Sequence, residues 1–172
     1  MFRIVAAVAC ILSLAACESM EDFSLEDLVS IGADEDQAAC EERTVRLLEG
    51  IPFDDARLID MEVRRGEFTP VIVRMIQNET YILRLRNRDD EPRVFQSPEF
   101  FENVAIAAVA IDNTILDTVC PGPAIELQPG QVLEMQVYAA VDGSYDYYDA
   151  SGLIGQYTTW HAGGIVRIEP AY

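Results

Sequence analysis

The sequence predicts an antiparallel β-sandwich preceded by a short N-terminal helix, and three features carry that expectation. Apolar and polar residues alternate from Met61 onward, the mark of strands with one wet and one buried face. Turn-forming groups interrupt the alternation at short intervals: Asn78-Glu79, Asp89 to Pro92, Asp112-Asn113, Pro121 to Pro123, Pro129-Gly130 and Asp142-Gly143. Roughly seven or eight short strands then fit into residues 61–172, the size of one sandwich.

Taken in order, the elements begin with a helix from about Glu35 to Glu49, capped by Asp34 and ended by Gly50. Val45 and Leu48 are expected to share its apolar face. Val71 to Ile76 is the first β-rich run. Tyr81, Leu83 and Leu85 then alternate with Arg84, Arg86 and Arg88. Val104 to Ile111 and Ile115 to Val119 are further short runs. Leu133, Met135 and Val137 alternate with Glu134 and Gln136, and Val166 and Ile168 straddle Arg167 in the last strand.

Charge narrows the function classes. The 172 residues carry 30 acids against 12 bases, a net charge of −18, and every base is arginine. Nucleic-acid binding needs a concentrated basic surface, which this balance opposes. A Walker-type phosphate loop needs a Gly-Lys step and there is no lysine. One histidine, His161, and four cysteines exclude a histidine-cluster metal site. No nucleophile is placed beside His161 by any recognisable motif, so no enzyme class is indicated. Asp89-Asp90-Glu91 reads as a solvated turn rather than a hard-cation site, because it lacks the spaced ligand series of a calcium loop.

The N-terminus reads as an address. Ile4 to Ala16 is a nearly unbroken apolar run with Arg3 before it, too short to span a bilayer and right for a signal-peptide core. Leu14-Ala15-Ala16-Cys17 resembles a bacterial lipobox, which implies cleavage after Ala16 and acylation of Cys17, anchoring the chain in a lipid bilayer. An ordinary secretory signal followed by chance by a cysteine is the alternative. Glu18 is not the aspartate associated with inner-membrane retention, which leaves the outer membrane as the expected location, the inner membrane second. The domains are then a signal peptide at 1–16, an acidic tether at 17–36, a helix and connector at 37–60 and the sandwich at 61–172. Residues 18–60 carry 14 acids and three arginines, so the acidity is steepest next to the anchor. With Cys10 discarded and Cys17 acylated, Cys40 and Cys120 remain. In an oxidising compartment they form one disulfide or stay as two free thiols.

Several phrases between residues 61 and 172 together resemble a cupredoxin of the plastocyanin and azurin superfamily, in its bacterial periplasmic branch. They are Gly66 to Pro70, Asn87 at the end of its strand, Pro92-Arg93-Val94-Phe95, Ser97 to Phe101, Gln128-Pro129-Gly130, Gly143 to Tyr147, and Gly164-Ile165-Val166. The resemblance implies a Greek-key sandwich. It also implies a copper site of two histidines, a thiolate and a weak axial methionine. Those ligands are missing here. The first histidine falls on Arg93, and the cysteine on Asp149 or, one residue earlier, Tyr148. The second histidine falls on about Tyr157 and the methionine on about Ala162, with His161 beside it.

The expectation is a metal-free domain without a cofactor, in which Arg93 and Asp149 form an ion pair that plugs the former metal cavity; alternatively Arg93 points to solvent. The aromatic segment with Tyr148, Tyr157, Trp160 and His161 is a candidate contact loop, or else packs across strands. The functional expectation is a membrane-anchored envelope lipoprotein, not an enzyme, whose domain binds or assembles with another envelope protein. The alternative is a copper- or other metal-binding or electron-transfer cupredoxin with a non-standard site built on His161, Asp149 and tyrosine oxygens.

Overall fold

Alternating strands can bury their apolar sides only against another sheet, and the molecule does so with two sheets packed face to face. The computed structural model describes the backbone of residues 25–151 and 163–171, and side chains from residue 37 onward within that range. Helix α1 spans Leu25–Leu48. Strands β1 to β5 span Arg57–Arg64, Glu67–Thr69, Ile72–Ile76, Thr80–Asn87 and Arg93–Gln96, followed by helix α2, Pro98–Asn103. Strands β6 to β11 span Ala105–Ile111, Thr114–Ile115, Ala124–Leu127, Val132–Tyr138, Gly143–Asp149 and Gly163–Glu169. One sheet has the order β2-β1-β4-β9-β6-β7 and the other β3-β11-β10-β5-β8.

The period-two pattern decides which side of each strand is buried. Tyr81, Leu83 and Leu85 on β4, Leu133, Met135 and Val137 on β9, and Val166 and Ile168 on β11 all enter the core. Phe68, Phe95, Phe101, Tyr145 and Tyr147 join them. Tight turns need residues that tolerate left-handed backbone. Arg65 and Gly66 (φ 55° and 74°) turn β1 into β2, and Asp112 and Asn113 (50° and 65°) turn β6 into β7.

Several elements differ from the sequence expectation. Two of the nine strand pairings among the described residues, β1 with β4 and β3 with β11, are parallel, so the sheets are mixed rather than wholly antiparallel. The first strand starts at Arg57, ahead of Met61, and β8 was not anticipated. Ile115 to Val119 supplies only the two-residue β7. Helix α1 begins at Leu25, so Asp34 lies within the helix and not at its N-terminus.

The chain divides into two units, Met1–Asp36 and Gln37–Tyr172, and the second holds the sandwich with the C-terminal half of α1. Cys40, Arg43 and Thr44, spaced i, i+3 and i+4, face the domain. Val45, a further 100° or so round the helix, is 69% exposed, contrary to the expected apolar face. Cys40 and Cys120 are joined in a disulfide. Gly50, with φ 74°, follows the helix as expected for a C-terminal stop.

Candidate functional site

Four short segments converge at one end of the sandwich, and their side chains form an ionic cluster around Arg93. Asn87, fully buried at the end of β4, sets the first segment. Its amide donates to the carbonyls of Glu91 (2.9 Å) and Leu127 (3.0 Å), and its own oxygen accepts from the Asp89 N–H (2.9 Å). This holds the turn that aims Asp89 inward. The β1–β2 turn supplies two adjacent backbone donors, the Arg65 and Gly66 N–H groups, both bonded to the Asp89 carboxylate. Left-handed backbone at both residues points those two groups the same way.

Arg93 opens β5 and Asp149 closes β10, strands that pair in the opposite sheet. The Arg93 guanidinium donates through Nε to Asp89 Oδ2 (2.7 Å) and through Nη1 to Asp149 Oδ2 (3.0 Å). It also reaches Ser151 Oγ at 3.3 Å. Asp149 Oδ1 accepts from the N–H groups of Val94 (3.1 Å) and Ser151 (2.9 Å). The side chains of Arg93, Asp89 and Asp149 are 18%, 7% and 8% exposed, so this is a largely desolvated cluster. Glu91 stands 3.8 Å from Nη2 but is 75% exposed and adds little. Arg93 thus ties a loop of one sheet to a strand end of the other.

The electrostatics follow from that geometry. Burial opposes the charge on Arg93, but the hydrogen bond and charge of Asp149, with the charge of Asp89, hold its pKa above the ordinary arginine value. Burial likewise opposes ionisation of Asp89. The Arg65 and Gly66 N–H groups and the Arg93 charge outweigh it and keep the carboxyl below its usual range. A buried ion pair is tolerable only when its remaining hydrogen-bonding capacity is met, and here both carboxylates have backbone donors as well as the guanidinium.

Beneath the cluster lies an aromatic layer. Phe68 packs edge-on to Phe95 (5.9 Å) and Tyr147 (5.3 Å), and Phe95 meets Tyr147 at 5.5 Å. The Tyr147 hydroxyl donates to the Pro70 carbonyl at 2.5 Å, and burial pushes its pKa up to about 12. Gly163 and Gly164 let β11 pass close by, since a Cβ on Gly164 would strike the Val71 carbonyl and the Tyr147 hydroxyl. At the other end of β4 an open depression of about 270 Å³ is lined by Ile51, Pro52, Asp55, Arg57, Asn78, Glu79 and Thr80.

The sequence-predicted site residues are placed as follows. Arg93 and Asp149 are in contact, and Arg93 does not point to solvent. Tyr148, a candidate for the contact loop or for packing across strands, is a half-buried residue of β10, opposite Gln96 and Gly163. Cys17, Tyr157, Trp160, His161 and Ala162 lie outside the described residues. Asp89 was missed, because Asp-Asp-Glu reads as a wet turn. The available signal was Asn87 two residues earlier, whose side chain organises such turns. Among the described residues no three His, Cys, Asp or Glu side chains converge on a possible metal position. A guanidinium cannot ligate a cation. At the described ligand-equivalent positions, then, the donor set does not fit a blue-copper ion.

Comparison with known proteins adds the fold and no more. No family model and no curated protein matches the chain. Among solved structures it is similar to a multicopper oxidase of Aquifex aeolicus, at 12% identity over 69% of this chain and 30% of that one, TM-score 0.51. A multicopper oxidase from Pediococcus acidilactici is similar at 11% identity over 68% and 27%, TM-score 0.50. A blue copper oxidase from Nitrosomonas europaea shares 13% identity over 70% and 46%, TM-score 0.49. The chain spans less than half the length of each of these three proteins. The fold that the Aquifex and Pediococcus oxidases share with it is the cupredoxin-like β-sandwich.

Proposed function

We propose that this chain is a cell-envelope lipoprotein, anchored through acylated Cys17, whose cupredoxin-like domain is a binding or assembly module. Neither a copper carrier nor an enzyme is the reading favoured. The observation that supports it best is the cluster of Arg93 with Asp89 and Asp149, where a permanent cation takes the place that the resemblance gives to a histidine ligand. Such a cluster locks the end of the sandwich, and its guanidinium already occupies the two buried carboxylates that a metal cation would need. The anchor reading rests on Leu14-Ala15-Ala16-Cys17 and is consistent with a chain in which no described helix is long and apolar enough to cross a membrane. The acidic stretch after Cys17 holds the domain off an anionic lipid surface. The partner on this reading is another envelope protein.

Two measurements test it together. Metal analysis of protein purified from membranes should find no stoichiometric metal. Mass analysis of its N-terminal peptide should find Cys17 carrying acyl chains. One copper per chain would favour the alternative of a non-standard metal site, and an unmodified residue 17 would remove the anchor.

A further inference from the structure

We infer that the Cys40–Cys120 disulfide is a releasable strap: a dithiol that reduces it frees residues 37–48 of α1 from a sandwich that stays folded. The core shows why the sandwich does not need the helix. Its buried cluster draws on every strand except β7 and on α2, and no described residue of α1 belongs to it. No strand pairing involves α1 either.

Non-covalent docking of the helix is poor. Arg43 donates to the carbonyls of Glu102 and Phe101 at the end of α2. Against that gain, Arg43 Nε and Thr44 Oγ1 are buried and find no hydrogen-bond partner among the described residues. Buried polar groups left unmatched oppose the docked state, and release returns both to water. Val45 and Leu47 face solvent, so little apolar area is gained on docking. The disulfide, closing a separation of 80 residues, is what holds the helix down.

The chemistry is ordinary exchange. Cys40 is half-buried and Cys120 only 7% exposed, so a thiolate of the dithiol attacks Cys40 Sγ. The Sγ–Sγ bond breaks, and Cys120 leaves as a thiolate that takes up a proton. The dithiol's second thiolate then displaces Cys40, which is protonated in turn. Two electrons have passed, and the dithiol is left as a disulfide. The product domain exposes the Phe101 region and the carbonyls at the end of α2.

Hydrogen–deuterium exchange on the full chain, oxidised and after dithiothreitol, tests this without reference to anchoring or metal content. Amides of residues 37–48 should exchange at least about tenfold faster after reduction, while those of β4 and β9 keep their protection. Unchanged protection of residues 37–48 would overturn the proposal. So would loss of protection in β4 and β9 together with the helix, which would make the bridge a staple of the whole fold. Cys40→Ser combined with Cys120→Ser should reproduce the reduced pattern without reductant; a double variant that does not fold would also overturn it.

Discussion

Replacing Arg93 by methionine removes the guanidinium while keeping most of the apolar stem. The structure sets the magnitude. Two charge-assisted hydrogen bonds are lost, at 2.7 Å to Asp89 and 3.0 Å to Asp149, with a longer one to Ser151. Stripping one partner from a buried pair typically costs about 3–5 kcal/mol, much of it from the orphaned charge. Here two carboxylates are orphaned, which pushes the cost up, but each keeps two backbone N–H donors, which pulls it down. The balance is about 3 kcal/mol, or a melting temperature lower by about 10 °C for a domain of this size. Urea unfolding followed by tyrosine and tryptophan fluorescence measures it, with Asp149→Asn and the double variant completing a cycle. A coupling of about 1.5–3 kcal/mol between the two positions is expected. A loss below about 1 kcal/mol for Arg93→Met, or no coupling, would refute the account, since that is the range of a solvent-compensated pair.

Further predictions follow from the same contacts. Asp89 has a folded-state pKa below its ordinary value of 3.8, so its stabilisation is complete above that value and is lost as pH falls through the lower folded one. Urea midpoints of the wild type should therefore drop below about pH 4, whereas Asp89→Asn should be weaker at neutral pH and flatter in acid. Tyr147 titrates near 12 in the folded state against 10.0 ordinarily, so its contribution is intact below pH 10 and lost as pH rises toward 12. Burial also raises Tyr81 and Tyr145, so tyrosinate absorbance should show at least the Tyr147 phenol missing from the first alkaline step, restored on unfolding. Gly164→Ala should cost more than about 3 kcal/mol, because its Cβ meets the Val71 backbone as well as the Tyr147 hydroxyl and neither can yield cheaply. Circular-dichroism melts would read that loss.

Much of the fold was legible in the sequence for one physical reason: alternation reports which side of a strand is buried. The Tyr81–Leu83–Leu85 and Leu133–Met135–Val137 sets alternate cleanly, and both enter the core. Alternation does not name the strand's neighbour, which is why the parallel pairing of β1 with β4 was invisible. Short β8 was hidden among the turn residues from Pro121 to Gln128. On α1 the misjudged face has a different cause. Cys40, Arg43 and Thr44, only one of them conventionally core-forming, decide which side faces the domain, so hydrophobicity pointed to Val45 in error.

The candidate site was half legible. The ordered phrases Pro92-Arg93-Val94-Phe95 and Gly143 to Tyr147 drew attention to Arg93 and Asp149 as partners. Asp89 was legible only indirectly, through Asn87 two residues earlier, because burial of an acidic turn depends on donors from a distant segment, the Arg65-Gly66 turn. Nothing local in Asp89-Asp90-Glu91 distinguishes the buried carboxylate from the exposed ones.

Copper titration of the full-length protein decides whether an arginine–carboxylate cluster stands in place of a metal. If it does, Cu(II) leaves the melting temperature unchanged and no stoichiometric copper survives dialysis. One copper retained per chain, raising the melting temperature and lost in Asp149→Asn, would contradict it.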